Sequence, residues 1–136
     1  MSTRERVVTN DKAARPRDNK PWANNVNVVC KVGRELYPSI AAGTNATVDD
    51  MSYAVNRLVD EVSTVTHLPA DGTAQMSRLE RRGQEAASAW GALATRQEEL
   101  VPLAERRQAV RLAAQYVDLL VALGAKACAA LRPHDA

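Results

Sequence analysis

The chain has 136 residues, the size of a single domain with a modest core. Hydrophobic residues make up 46% and charged residues 25%, which excludes a disordered polar chain. Aromatic residues are 4%, with no Phe. The core must therefore be built from Ala, Val, Leu and Met, which favours closely packed helices over a β-sandwich.

The net charge of +2 is unevenly spread. Residues 1–20 carry six basic and three acidic side chains, hence +3; residues 21–136 carry twelve and thirteen, hence −1. With no hydrophobic period, residues 1–20 read as a flexible basic arm. Such an arm is either a polyanion-binding tail or a solvated terminus. Its polar character gives no sign of a secretory leader.

Residues 21–136 read as one all-α domain. Pro21 suits a first helical turn. Val26, Val29, Cys30, Gly33, Leu36 and Tyr37 then recur on one helical face until Pro38 ends it, giving a short helix of roughly three to four turns. Residues 40–46 read as a loop. Thr47 is an N-cap, with Asp49 and Asp50 in the first turn, where the helix dipole favours negative charge. Met51, Ala54, Val55, Leu58, Val59, Val62 and Val65 form the next stripe, stopped by the turn sequence Pro69-Ala70-Asp71-Gly72, in which Pro and Gly each set a backbone angle.

Met76, Leu79, Gly83, Ala86, Trp90 and Leu93 line a third face, and the pattern breaks over residues 95–102. Pro102 opens the last segment. There Val110, Ala113, Val117, Leu120 and Val121 form one stripe, and Leu112, Tyr116, Leu119 and Leu123 a second. A helix apolar on two sides is central to a core or sandwiched against a partner. The apolar surface exceeds what a monomer of this size hides, which predicts a partner chain. The most apolar stretch, residues 119–125, is far below the ~20 residues of a membrane span.

The inventory for catalysis is poor, and no enzyme, cofactor, metal or small-molecule ligand is expected. His67 sits at a helix end, where an imidazole serves the terminal carbonyls, and His134 lies in an expected C-terminal fray. The adjacent pairs Asp49-Asp50, Asp60-Glu61 and Glu98-Glu99 diverge on a helix and form no shared carboxylate site. Cys30 and Cys128 lack metal-ligand spacing and read as reduced core thiols of an intracellular protein. Arginine outnumbers lysine fourteen to four. This is either a phosphate- and groove-binding signature or the trace of GC-rich coding.

Several runs together resemble the core histones, in particular histone 2B. Cys30-Lys31-Val32-Gly33-Arg34-Glu35-Leu36-Tyr37-Pro38 is similar to the end of that family's first helix. Asn56-Arg57-Leu58-Val59-Asp60-Glu61-Val62 resembles the middle of its central helix, and Ala109-Val110-Arg111-Leu112 a run of its third. Gly124-Ala125-Lys126-Ala127-Cys128 resembles a run in its additional C-terminal helix. Each motif is short; their shared order over residues 22–131 carries the resemblance. The chain departs from the family in an insertion at about 69–83, a shorter and less lysine-rich tail, and no Leu-Pro-Gly break before the C-terminal helix. In this it resembles core histones of giant amoeba-infecting DNA viruses of the medusavirus type.

The resemblance implies a histone fold of short, long and short helices, with an insertion near the end of the central helix and a C-terminal helix at about 115–131. It implies heterodimerisation with a histone 2A-like chain, assembly with a tetramer of the other two core histones, and wrapping of double-stranded DNA without sequence preference. The setting would be nucleus and chromosome, or virion and host nucleus. Carried onto this chain, the DNA-binding residues would be Arg17, Lys20, Lys31 and Arg34, Thr44 and Thr47 of the first loop, and Arg96 of the second, inserted into a groove. Met51, Val55, Leu58 and Val62 would face the partner chain, and Asp118 would belong to an acidic docking patch. The alternative is a histone-fold or helical-bundle interaction module that dimerises without wrapping DNA, which the −1 body charge favours.

Overall fold

A computed structural model of the chain describes residues 20–65 and 73–134. Among these the regular structure is entirely helical. The elements are α1 (Lys20–Leu36), α2 (Ser39–Ala42), α3 (Val48–Ser63), α4 (Thr73–Ala94) and α5 (Leu103–Ala122), with 3-10 segments at Gly43–Asn45, Glu98–Leu100 and Lys126–Leu131. Residues 1–19, which include most of the expected arm and Arg17, lie outside the described residues, as do His67 and the turn at Pro69–Gly72.

Local chemistry explains most boundaries. Pro21 stands in the first turn of α1, and the helix stops two residues before Pro38, because the residue preceding proline is driven from the α region. With 17 residues, α1 is longer than expected. The Thr47 hydroxyl accepts the Asp50 N–H at 3.1 Å and caps α3, relieving one of the unpaired donors at a helix start. Pro102, extended at ψ 148°, is the N-cap of α5.

Three expectations are corrected. Residues 40–46 are not an open loop but a turn of α-helix running into a 3-10 turn. Where the histone resemblance implies one long central helix, the chain holds two, α3 and α4, as the separate apolar stripes at 51–65 and 76–93 have it. Asn56 Nδ2 donates to the Ala87 carbonyl at 3.3 Å, Val59 lies against Gly83, and Val65 shares a cleft with Met76. Each step forward on α3 is thus a step back on α4, so the two pack antiparallel. The short–long–short order gives way to four long helices. The expected insertion supplies the first half of α4, where Leu79 is buried. The expected C-terminal helix at 115–131 is not a unit either. α5 runs without interruption to Ala122, the chain turns at Gly124 (φ 109°), and 3-10 helix follows. No proline or glycine stands between Leu103 and Ala122 to break α5 earlier, so hydrogen bonding propagates through the expected junction.

The core is one cluster. Trp22, Val26 and Cys30 come from α1, Met51, Val55 and Leu58 from α3, Leu79, Ala86 and Trp90 from α4, and Val110, Val117 and Leu120 from α5. α5 is packed by α4 and by the C-terminal 3-10 segment, which explains its two apolar sides. At Gly83 an added Cβ would sit 2.9 Å from the Tyr116 ring, so the absence of a side chain sets how closely α4 approaches α5.

Cys30 and Cys128 form a disulfide across 98 residues, with Cα atoms 5.0 Å apart and both side chains fully buried. This corrects the expectation of two reduced thiols. Each residue sits on the apolar face of its own segment, and the fold lays those faces against one another.

Candidate nucleic-acid interface

The two loops expected to contact DNA lie at one end of the molecule. The first, around Gly43–Thr47, precedes α3; the second, residues 95–102, joins α4 to α5. Antiparallel packing of α3 and α4 brings the start of one beside the end of the other. Glu98 ties the loops together: its carboxylate accepts the Val48 N–H at 2.8 Å and pairs with Arg106 at 2.6 Å. The Val48 N–H, with Arg106 assisting, holds the Glu98 carboxyl below the usual carboxylate range. Arg106 also donates to the Glu98 carbonyl at 2.6 Å.

The C-terminal segment closes this end. The Thr44 N–H donates to the His134 carbonyl, and the His134 N–H donates to the Ala41 carbonyl, both at 3.3 Å. His134 is therefore not frayed, as expected, but held between two backbone partners. Gly43 makes the approach feasible. Its φ of 59° with ψ of −122° suits a residue without Cβ, and a side chain there would collide with the His134 backbone.

Of the expected DNA contacts, Thr44, Thr47 and Arg96 are gathered at this end. Thr44 is half-buried, and Thr47 is exposed with its hydroxyl engaged in the α3 cap. Arg96 is exposed, bonded to Glu105 at 2.6 Å and to the Leu100 carbonyl at 3.4 Å. Lys31 and Arg34 are exposed on α1, and no hydrogen bond joins them to either loop. Lys20 is the exposed first residue of α1.

The expected partner-facing residues are placed differently. Met51, Val55, Leu58 and Val62 are between 0% and 3% exposed within the single chain. The stripe is covered by α4, α1 and α2 of the same molecule, because the α3–α4 hairpin supplies an apolar face that a second chain was expected to bring. These four residues are thus core positions, not a docking face. Asp118 is exposed, but Arg132 holds it in a two-pronged pair at 2.9 and 3.2 Å.

Sequence reasoning missed Glu98, Arg106, His134 and Asn27. The Asn27 side-chain oxygen accepts the Ala127 N–H at 2.9 Å. None had a local signal, since Glu98 and its Val48 partner are 50 positions apart and Asn27 and Ala127 are 100 apart.

The described residues hold no group of three or more His, Cys, Asp or Glu side chains able to bind a metal. No described helix is long and apolar enough to cross a membrane. At the opposite end, a cleft of about 300 Å³ between α3 and α4 is lined by Val59, Val62, Met76, Leu79, Glu80 and Tyr116. Burial first, then Tyr37 and Glu80, push the Tyr116 phenol above its ordinary range, so it stays protonated and brings no base to the cleft. No family model, no curated protein and no solved structure matches this chain.

Proposed function

We propose that this chain is a DNA-packaging protein of the histone 2B type, pairing with a histone 2A-like chain and a tetramer of the other two core histones to wrap duplex DNA without reading its sequence. The observation that carries the reading is the meeting of the two loops at one edge through Glu98 and the Val48 N–H. A bent duplex backbone is gripped by contacts spaced along one rim, from loop amides, helix N-termini and inserted arginines. The ordered motifs of α1, α3 and α5 support the same reading. In it, Arg96 exchanges Glu105 for phosphate. An exposed ion pair contributes little, so the exchange costs little.

A second reading is favoured by two observations. The α3 stripe is already closed within one chain, and Asp49, Asp50, Glu98, Glu99 and Glu105 belong to the same end as the loops. On that reading the molecule is a self-contained helical interaction module that leaves DNA alone.

Titration of the full chain with duplexes of unrelated sequence, with and without a histone 2A-like partner, separates the two. A wrapping histone binds all duplexes alike, with affinity falling steeply as salt rises through counterion release. Refolding with the partner and the tetramer histones yields a nuclease-protected particle. Failure to bind at low salt, or absence of the particle, overturns the DNA reading and leaves the second. Within the DNA reading, Arg96→Ala weakens binding modestly and equally across sequences, leaving the helical content unchanged by circular dichroism. A loss confined to some sequences removes Arg96 from the groove role.

A further inference from the structure

Among the described residues, the four-helix core leaves an apolar row on α1 uncovered. On α1, Val28, Val32 and Leu36 are 58%, 46% and 62% exposed, although Val26, Cys30 and Gly33 on the other side of the same helix are buried. Spaced by four, the three form a single ridge along the helix. Val28 and Val32 border an open groove of about 450 Å³, shared with Asn25, Val29, Glu61, Thr64 and Val65; Glu61 is already paired with Arg57 at 2.7 Å. Ridges of this spacing can interlock with their like on a second helix.

The flank of the row says which helix. Lys31 and Glu35 follow Val28 and Val32 by three positions each, so both stand on the same side, one turn apart, and both are exposed. Neither makes an ion pair among the described residues. Lysine placed before glutamate in a helix is the less favourable order for an internal pair. An identical α1 laid parallel would set Lys31 against Lys31 and Glu35 against Glu35. Laid antiparallel about a two-fold axis at Val32, it sets Val28 against Leu36 on either side and leaves Lys31 of each copy two residues, about 3 Å along the helix axis, from Glu35 of the other, within reach of a lysine side chain. A surface that complements itself under a two-fold rotation is what a closed dimer requires.

We propose that the Val28, Val32 and Leu36 row of α1 is a self-association surface, on which a second copy of this chain packs antiparallel with Lys31 of each copy paired to Glu35 of the other. The inference does not depend on DNA binding. The row is small beside the ~800 Å² per partner of a standard interface, so the dimer is reversible and concentration-dependent. In it Lys31 is withdrawn from any phosphate contact.

Sedimentation equilibrium of the full, disulfide-bonded chain from micromolar to millimolar concentration tests this. A monomer–dimer equilibrium is expected. Val32→Glu places two carboxylates at the two-fold axis and weakens the dimer by at least ~30-fold, because opposed like charges are strongly unfavourable. Val32 faces solvent, so the circular dichroism spectrum is unchanged. Lys31→Glu and Glu35→Lys each weaken it by about 3- to 10-fold, the scale of two exposed ion pairs, and the double exchange restores the parental equilibrium. A monomer at every concentration, an association indifferent to Val32→Glu, or a double exchange no better than the single ones overturns the proposal.

Discussion

The seam between the chain's two ends and the interior of the helical bundle are held by different physics. At the seam, α1 and the first loop meet the C-terminal segment through a disulfide, the Asn27 side chain on the Ala127 N–H, and two backbone bonds around His134. Each link is directional and joins residues about 90 or more positions apart. In the interior, α3, α4 and α5 meet through Met51, Val55, Leu58, Leu79, Trp90 and Leu120, all nearly or fully buried, and few polar groups take part. Apolar burial is non-directional and scales with area. The interior therefore tolerates exchange of one apolar residue for another of similar volume, whereas the seam depends on particular atoms.

Reducing the disulfide tests the seam most severely. A crosslink closing a loop of this length restricts the unfolded chain by up to about 4–5 kcal/mol. Reduction, or Cys128→Ser in a Cys30→Ser background, is expected to lower stability by about 3–5 kcal/mol in thermal or denaturant unfolding. Amide exchange should rise first in residues 126–134 while α4 and α5 stay protected. Uniform acceleration of exchange would erase the distinction between the two regions.

Leu58→Ala probes the other region. Leu58 is 1% exposed at the centre of α3, and removing its branched end leaves a cavity costing about 2–4 kcal/mol. Because the interior acts as one cluster, the loss should appear in the exchange of α3, α4 and α5 together, without loosening the Asn27–Ala127 contact first.

The smallest effect concerns Glu98, which joins the two loops. Its folded-state pKa is lowered by the Val48 N–H, so the stability it contributes is present above the ordinary carboxylate range and is lost as pH falls through its folded pKa. The Glu98 side chain is partly solvated, which limits the contribution to under about 1 kcal/mol. Glu98→Gln should slightly reduce stability at neutral pH and flatten its decline on acidification, measured by denaturant midpoints between pH 7 and pH 3. An unchanged acid limb would remove Glu98 as the clasp between the loops.

Much of the chain was legible residue by residue where the cause was local. Thr47 with Asp49 and Asp50, Pro38 after α1, and Pro102 before α5 all act within a turn of their own position. The candidate interface was legible in part. Thr44, Thr47 and Arg96 do gather at one end, but the residues that hold them there, Glu98 and His134, carry no sign of it in their neighbours. The disulfide was read as two thiols for the same reason: a cysteine on an apolar face looks alike whether its partner is a methyl group or another sulfur. The α3 stripe reads as apolar from the sequence, and the fold covers it within the single chain. Periodicity reports that a face must be covered, not what covers it.

Local chemistry alone thus wrote the helical character, most helix limits and the list of apolar positions, because propensity, capping and the 3.6-residue period act over a few residues. Which faces met, which were closed within one molecule, which cysteines joined, and which apolar row on α1 was left outside were matters of the packed fold. Those outcomes rest on contacts between residues about 10 to 100 positions apart, whose free energy exists only once the intervening chain is in place.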